Sequence, residues 1–173
     1  MKITNYGVTL VRLTEDKVEL VRNWRNDPKI AQYMEFREFI TPEMQLNWFH
    51  KIDNEQNYFF ILEYEGKEVG LINVKDIDTE IGEGEAGIFI YDDEYLNSDL
   101  SFKSCLCLSE FCFDILQLKR MKAHILNDNK RAIQFNKFLG YKIAENQEGI
   151  LNQLYYLTKE DFDLKKEKLI RLF

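Results

Sequence analysis

Residues 127–141 read NDNKRAIQFNKFLGY, and they combine a helix start, an amphipathic helix and a helix stop. Asn129 has the side chain of an N-cap, whose oxygen accepts a hydrogen bond from a backbone N–H in the first turn. Gly140 is the residue type that most often ends a helix in the left-handed conformation. Strand-like segments at 121–126 and 141–143 flank the stretch. The pattern therefore predicts a strand, a helix over Lys130–Phe138 and another strand.

The rest of the chain predicts further strands and helices. Alternating or apolar runs predict strands over 8–13, 58–64, 69–74, 85–91 and 151–157. Helical spacing predicts helices after Thr14, over 30–34, after Thr41, over 101–116 and after Thr158. The helix after Thr41 is expected to carry Met44, Trp48 and Ile52 on one face, and the terminal helix carries Phe162, Leu169 and Phe173. This order, without a repeat or a linker, predicts a mixed α/β or α+β sheet covered by helices.

Composition indicates one acidic, compact body. The 173 residues include 23 Lys and Arg against 30 Asp and Glu, which gives a formal charge of −7. This charge argues against duplex nucleic acid or an anionic membrane as the main partner, and leaves small anionic ligands open. Apolar types make up 45% of the residues, enough for one sizeable core. We therefore expect a single domain over residues 1–173.

The cysteines and the N-terminus bear on the compartment. Residues 1–7 are polar, and no window approaches the roughly 18 apolar residues of a membrane span. Cys105, Cys107 and Cys112 lie in one apolar run, which suits a reducing compartment better than a disulfide framework. We expect a cytoplasmic protein without a membrane partner.

Two kinds of chemistry are disfavoured. Cys105 and Cys107 project about 200° apart on a helix, and His50 and His124 are distant in sequence, so no metal is expected. A nucleophilic triad would need a Gly-x-Ser-x-Gly elbow or an exposed cysteine, and the sequence offers neither. The chemistry is therefore expected to be non-covalent with respect to the protein.

The Asn-x-x-Ala-Ile and Lys-x-Leu-Gly-Tyr parts of residues 129–141 resemble the GNAT superfamily of acetyl-CoA-dependent N-acetyltransferases. Near the N-terminus, residues 24–28 (WRNDP), Tyr33-Met34 and the Thr41-Pro42-Glu43 helix with Trp48-Phe49 are similar to two branches of it, the ribosomal-protein-type enzymes and the bacterial amino-sugar N-acetyltransferases. The resemblance spans nearly the whole chain. It implies an α+β fold with a central mixed, mostly antiparallel sheet flanked by helices on both faces, in a single acyl-CoA N-acyltransferase domain.

The resemblance also implies a place for acetyl-CoA as co-substrate. The pantetheine arm would pair with the strand Ile88-Phe89-Ile90, and the pyrophosphate would lie at the next helix N-terminus, at Asn97-Ser98-Asp99-Leu100-Ser101. Asn129 and Phe135 would be on the cofactor side, although capping the helix at Lys130 explains Asn129 equally well. The family usually has glycines in the pyrophosphate loop, and this chain has none there.

Direct transfer to an amine needs a proton acceptor, an oxyanion site and a means of releasing the thiolate. By resemblance, Glu85 is the candidate base or relay, and a backbone N–H of Phe89 or Ile90 would hold the oxyanion. Asn136 stands where many relatives have a tyrosine acid. An asparagine cannot act as an acid, so Asn136 is expected only to hydrogen-bond the sulfur, and Tyr95 and Tyr141 are weaker stand-ins for the acid.

The acceptor side involves the two early helices. Arg25, Tyr33, Met34, Glu35 and Trp48 are the candidate substrate residues, with Arg25 suited to clamp a phosphate or carboxylate. Simple core packing is the competing interpretation for Trp24, Trp48 and Phe49. The resemblance favours a nucleotide-linked amino sugar narrowly over a protein N-terminus or a polyamine. A non-catalytic acyl-CoA-binding protein, and a homodimer through the terminal helix, remain open alternatives.

Overall fold

The computed structural model describes residues 1–171 and contains one sheet of eight strands. The strands are β1 Lys2–Asn5, β2 Val8–Arg12, β3 Tyr58–Tyr64, β4 Lys67–Asp78, β5 Glu83–Ile90, β6 Arg120–Leu126, β7 Lys142–Ile143 and β8 Asn152–Thr158. The helices are α1 Val18–Asn26, α2 Pro28–Ala31, α3 Pro42–Ile52, α4 Leu100–Glu110, α5 Lys130–Leu139 and α6 Lys159–Ile170. Short 3-10 turns occupy Glu15–Lys17 and Asp93–Tyr95, and a π-helical turn over Phe111–Ile115 extends α4.

The sheet is mixed and mostly antiparallel, as the family resemblance implies. Its strand order is β1-β2-β3-β4-β5-β6-β8-β7, and only the central pair β5 and β6 runs parallel. A parallel pair needs a crossover connection, which α4 and its π-helical extension supply. The one parallel junction therefore lies in the middle of the sheet, between two antiparallel halves.

Helices cover both faces because successive strand residues point to opposite sides. Phe60 and Leu62 of β3 join the larger core, which includes buried residues of α4 and α6. Phe59 and Ile61 point the other way, into a smaller core with residues of α1 and α3. Burying each such side chain contributes about 1.5–3 kcal/mol. We call these two sides the α4–α6 face and the α1–α3 face.

Three predicted helix boundaries are confirmed by their capping bonds. Thr41 accepts a hydrogen bond from the Met44 N–H, and Thr158 accepts one from the Asp161 N–H. Asn129 accepts one from the Ala132 N–H, so its capping role holds. Gly140 ends α5 at φ +108°, a conformation that costs glycine little.

Other details differ from the sequence predictions. Strand β1 was not predicted, because it is short and polar and forms by pairing with β2. On α3 the buried residues are Gln45 and Phe49, whereas Met44 is 41% exposed, so the predicted face is wrong by about one residue at its start. The short helix lies at 28–31 instead of 30–34. Phe173 lies outside the described residues.

Candidate active site

Strand β5 loses its partner on one edge partway along its length. Three residue pairs join β5 to β6, the last being Glu85 with Lys122. On the other edge, pairing with β4 continues to Ile90 opposite Gly70. The β6 ladder offers no partner to residues 86–90, and residues 85–89 are only half-buried in the middle of the sheet. We call this gap, bounded by residues 86–90 and 123–126, the β5–β6 opening.

The unpaired edge of β5 presents backbone donors to the opening. The Tyr91 N–H donates to Val69 O of β4. Because successive N–H groups of a strand point to opposite edges, the N–H groups of Ile88 and Ile90 point away from β4. Of the two predicted oxyanion donors, the Ile90 N–H therefore points into the β5–β6 opening, whereas the Phe89 N–H points toward β4. An extended ligand can pair with this edge as an added strand would.

Helices α4 and α5 are held together at the open end of the gap. The Phe102 ring lies 4.7 Å from the Phe135 ring and 5.2 Å from the Phe138 ring, centroid to centroid. The Arg131 guanidinium of α5 donates to Leu96 O at 2.6 Å, in the loop that precedes α4. Phe135, predicted on the cofactor side, thus helps to join the two helices that follow β5 and β6.

The predicted pyrophosphate loop, residues 97–101, is built without glycine because its backbone does not need one. None of these five residues has a positive φ. Ser98 Oγ accepts from the Leu100 N–H and donates to Tyr95 O, so it stabilises the turn that leads into α4. The Asp99 carboxylate pairs with Lys103 Nζ at 2.7 Å, which offsets its charge. Arg131 adds a positive charge beside Asn97.

A charged cluster lies where the opening begins. Glu85 Oε2 is 3.0 Å from His124 Nδ1, and Glu85 Oε1 is 3.5 Å from Lys75 Nζ. The Glu85 side chain is 19% exposed and that of His124 is 37% exposed. Glu85 is a candidate that the family resemblance implied, whereas the sequence analysis did not name His124 as a site residue. The available signal was the alternation of β6, whose residues 121, 123 and 125 are buried and whose residues 122 and 124 face the other way.

The aromatic residues of the early helices divide between core and surface. Trp24 is 5% exposed and stacks on Tyr91 at 5.4 Å, and Phe49 is also 5% exposed, so the core interpretation holds for both. Trp48 is half-buried and meets the Phe59 ring edge-on at 5.0 Å. Among the predicted substrate residues, Tyr33 and Glu35 are exposed and Met34 is half-buried, on the loop between α2 and α3.

Two buried donors on these helices have no hydrogen-bond partner in the part of the chain that the structure describes. They are Arg25 Nε of α1 and Gln45 Nε2 of α3. Asn26, next to Arg25, exchanges hydrogen bonds with Ile40, which lies just before α3. Both donors therefore lie near the end of the α1–α3 pair where the two helices are connected. Burial lowers the pKa of Arg25, because a desolvated guanidinium without a counter-ion is unfavourable.

The residues predicted beside the departing sulfur, Asn136 and the two stand-ins for the acid, Tyr95 and Tyr141, are engaged or buried. Asn136 Nδ2 donates to Ala132 O within its own helix. Tyr95 is buried and donates to Glu65 Oε2 at 3.1 Å. Tyr141 lies in the core of the α4–α6 face, where burial, and to a lesser extent the nearby Cys105 and Cys112, raise its pKa well above the usual value. The structure does not bring Tyr141 together with Glu85, which points to the α1–α3 face.

One pocket of about 440 Å³ lies at the end of β5 on the α1 side. Trp24 and Tyr91 form part of its wall, and Lys29 Nζ lies 4.1 Å from the centre of the Tyr91 ring. Within residues 1–171 no group of three or more His, Cys, Asp or Glu side chains is arranged to hold a metal ion. None of the helices in that range is long and apolar enough to cross a membrane.

Comparison with known proteins identifies the family. The model of the acetyltransferase (GNAT) domain matches residues 8–142, and the chain therefore belongs to the GNAT acetyltransferases. It is 26% identical over 170 residues to acetyltransferase PseH of Campylobacter jejuni subsp. jejuni serotype O:23/36, strain 81-176. That match covers 95% of this chain and 97% of the relative. The protein is an acetyltransferase enzyme.

Solved structures share the fold. The apo structure of FdhC, described as a nucleotide-linked sugar GNAT, superposes with a TM-score of 0.83 at 17% identity, covering 99% of this chain and 97% of FdhC. Spermidine N-acetyltransferase from Vibrio cholerae, solved with CoA and spermine, gives a TM-score of 0.76 at 19% identity, covering 91% and 99% of the two chains. At these identities the likeness establishes the fold.

Proposed function

We propose that this chain transfers the acetyl group of acetyl-CoA to a primary amine on a nucleotide-linked amino sugar, within one domain over residues 1–173. The observation that carries the transfer reaction is the β5–β6 opening, which has a free strand edge and the Glu85–His124 pair where it begins. The solved spermidine N-acetyltransferase holds CoA on the same fold, which supports CoA as the carrier of the acetyl group.

In this proposal acetyl-CoA lies along Ile88–Ile90, with its amide groups paired to the free edge of β5. Its pyrophosphate meets the start of α4 at residues 97–101, where backbone N–H groups and the helix dipole favour an anion. Lys103 offsets the charge of Asp99, and Arg131 adds a positive charge at the same end of α4. The Ile90 N–H stabilises the oxyanion that forms when the amine attacks the thioester.

The acceptor enters from the α1–α3 face, because Glu85 points there and the predicted substrate residues lie on α1, on α3 and on the loop that precedes α3. Among residues 1–171, Arg25 Nε and Gln45 Nε2 are buried donors without partners, and leaving such groups unpaired is unfavourable. A phosphate oxygen is the kind of acceptor that either donor would bind. A polyamine would instead bring a second positive charge toward Arg25. The FdhC likeness also supports an acceptor of the nucleotide-sugar class.

The proposal also covers the binding partners and the cellular location of the protein. The acceptor is a small molecule, and no role for nucleic acid is proposed, consistent with the net charge of −7. A cytoplasmic location is proposed because all three cysteines are free thiols, two of them buried.

The test is an acceptor screen that follows CoA release and identifies the product by mass spectrometry. Nucleotide-linked amino sugars, peptides with free N-termini and polyamines are compared at equal concentration. We expect the nucleotide-linked amino sugar to have the highest kcat/KM. In Arg25→Met its KM should rise about 10-fold or more, the effect of losing a charge-assisted bond. Arg171→Met, at an exposed arginine at the end of α6, is the matched control and should behave as wild type. A preference for polyamines or peptides would contradict the proposed acceptor.

A further inference from the structure

We propose that His124 is the general base of the transfer reaction and that Glu85 is its positioning residue; this deepens the proposed acetyl transfer and rests on it. The pair lies where β5 and β6 separate. Glu85 belongs to the last residue pair between the two strands, opposite Lys122, and His124 follows on the same face of β6. His124 is thus among the first residues of β6 to border the β5–β6 opening.

The contact between the two side chains decides which tautomer a neutral imidazole adopts here. An ionised carboxylate can only accept, so the 3.0 Å contact with Glu85 Oε2 requires the proton of the neutral ring to be on Nδ1. The lone pair is then on Nε2, the nitrogen that Glu85 does not engage. A carboxylate bonded to Nδ1–H holds the ring in this tautomer and stabilises the imidazolium that forms after proton uptake.

Glu85 is less suited to take the proton itself. Its two oxygens are already engaged, Oε2 by His124 and Oε1 by Lys75 at 3.5 Å, and its side chain is only 19% exposed. The His124 side chain is 37% exposed. An imidazole also matches a neutral operating pH better than a carboxylate does, which makes it the more efficient base.

The charged neighbours of His124 come from three strands. Glu85 on β5 is the anion in contact, Lys75 on β4 contacts Glu85, and Lys122 lies two residues earlier on β6 itself. On β8, Leu154 is opposite His124 and Tyr156 is opposite Lys122. Lys75 and Lys122 place two ammonium groups on this side of the sheet, which disfavours a third ammonium nearby. An acceptor amine that arrives as R–NH3⁺ is therefore disposed to lose its proton here.

The proposed step balances in protons and electrons. His124 Nε2 takes one proton from R–NH3⁺, and the nitrogen lone pair so freed attacks the thioester carbon to form the C–N bond. The tetrahedral oxyanion collapses, the C–S bond breaks, and the sulfur leaves with the bonding pair. The second amine proton goes to the thiolate, which gives the amide and CoA–SH. The imidazolium then releases its proton to solvent.

The chain provides a matched control, because its other histidine also lies beside a glutamate. His50 on α3 is 3.5 Å from Glu15 and exposed, away from the opening. We expect His124→Asn to lower kcat about 100-fold at neutral pH and His50→Asn to change it less than about 2-fold. Glu85→Gln should lower kcat about 10- to 100-fold, the usual effect of changing the partner of a working histidine. Acetyl-CoA should raise the Tm of all three variants as it does for wild type.

The pH profile separates a base from a structural residue. Wild-type kcat should level off once the imidazole is neutral, whereas in His124→Asn it should keep rising with pH as more amine becomes neutral. The ratio of the two rates should therefore shrink by about 10-fold or more between about pH 6 and about pH 9. A ratio that stays constant with pH, or a variant as active as wild type, overturns the role of His124 while acetyl transfer stands. A wild-type enzyme that acetylates no amine overturns the proposed function as well.

Discussion

The two edges of strand β5 differ in how far they are paired with a neighbouring strand. Toward β4, pairing runs from Glu83 to Ile90 with one irregularity; toward β6, it stops after three pairs. The β4 partner comes from the same antiparallel meander, whereas the β6 partner arrives through a crossover helix and then diverges. The comparison shows how one strand can be both a rigid part of the sheet and an open binding edge.

The largest expected effect comes from a substitution that disrupts the pairing between β4 and β5. In Gly70→Ala, the new Cβ would lie 2.3 Å from Phe89 O, a backbone atom that cannot move without disturbing the ladder. We expect a loss of about 3 kcal/mol in the free energy of unfolding. Urea denaturation followed by circular dichroism measures it.

The matched control for that change is Gly87→Ala, on β5 itself. There the Cβ would meet only the side chain of Asn73, at 3.0 Å, and that side chain can shift. A loss below about 1 kcal/mol is expected. Equal losses in the two variants would show that the close approach at Gly70 does not stabilise the β4–β5 edge.

A smaller effect concerns the open edge. Arg131 joins α5 to the loop before α4, so Arg131→Met should weaken CoA binding about 10-fold, with the deficit shrinking as salt rises. Isothermal titration with CoA at two ionic strengths measures this. Lys137→Met, at the other end of α5, is the control and should bind as wild type. Loss of affinity in both variants alike would indicate a general charge effect and no specific contact.

The smallest expected effect concerns the reactivity of the buried thiols on α4 and its π-helical extension. Burial, with a lesser contribution from Glu110, raises the pKa of Cys107 to about 12, and burial moves the pKa of Cys112 in the same direction. Ellman's reagent should therefore leave these thiols untouched in the native protein and titrate all three cysteines in denaturant.

The raised pKa of Cys107 makes the free energy of unfolding depend on pH. The folded-state pKa of Cys107 lies above its ordinary value of 9.0, so the folded protein binds the proton more tightly than the unfolded chain. Its contribution to stability is complete below about pH 9 and is lost as pH rises toward the folded-state pKa. Urea midpoints that stayed constant from neutral pH to about pH 11 would contradict a raised pKa for the buried Cys107 thiol.

Local signals predicted most of the elements. The caps at Thr41, Asn129 and Thr158 and the stop at Gly140 depend on neighbours within a few residues, so sequence alone identified them. Strand β1 escaped prediction because its only support is its pairing with β2. The Glu85–His124 contact could not be predicted from local patterns, because 39 residues separate the two and only the sheet brings them together.

Sequence alone determined the α+β class, the family resemblance, the strand that borders the opening and Glu85 as a reactive candidate. Residue type and local period predict a mixed α/β or α+β sheet covered by helices, whereas the strand at the opening and Glu85 were implied by the family resemblance. The tertiary structure decided where β5 and β6 part, that His124 contacts Glu85, and that Tyr141 is core. It also left Arg25 Nε and Gln45 Nε2 without a partner among the described residues. Such facts depend on contacts between distant segments, and no local pattern encodes the distance between them.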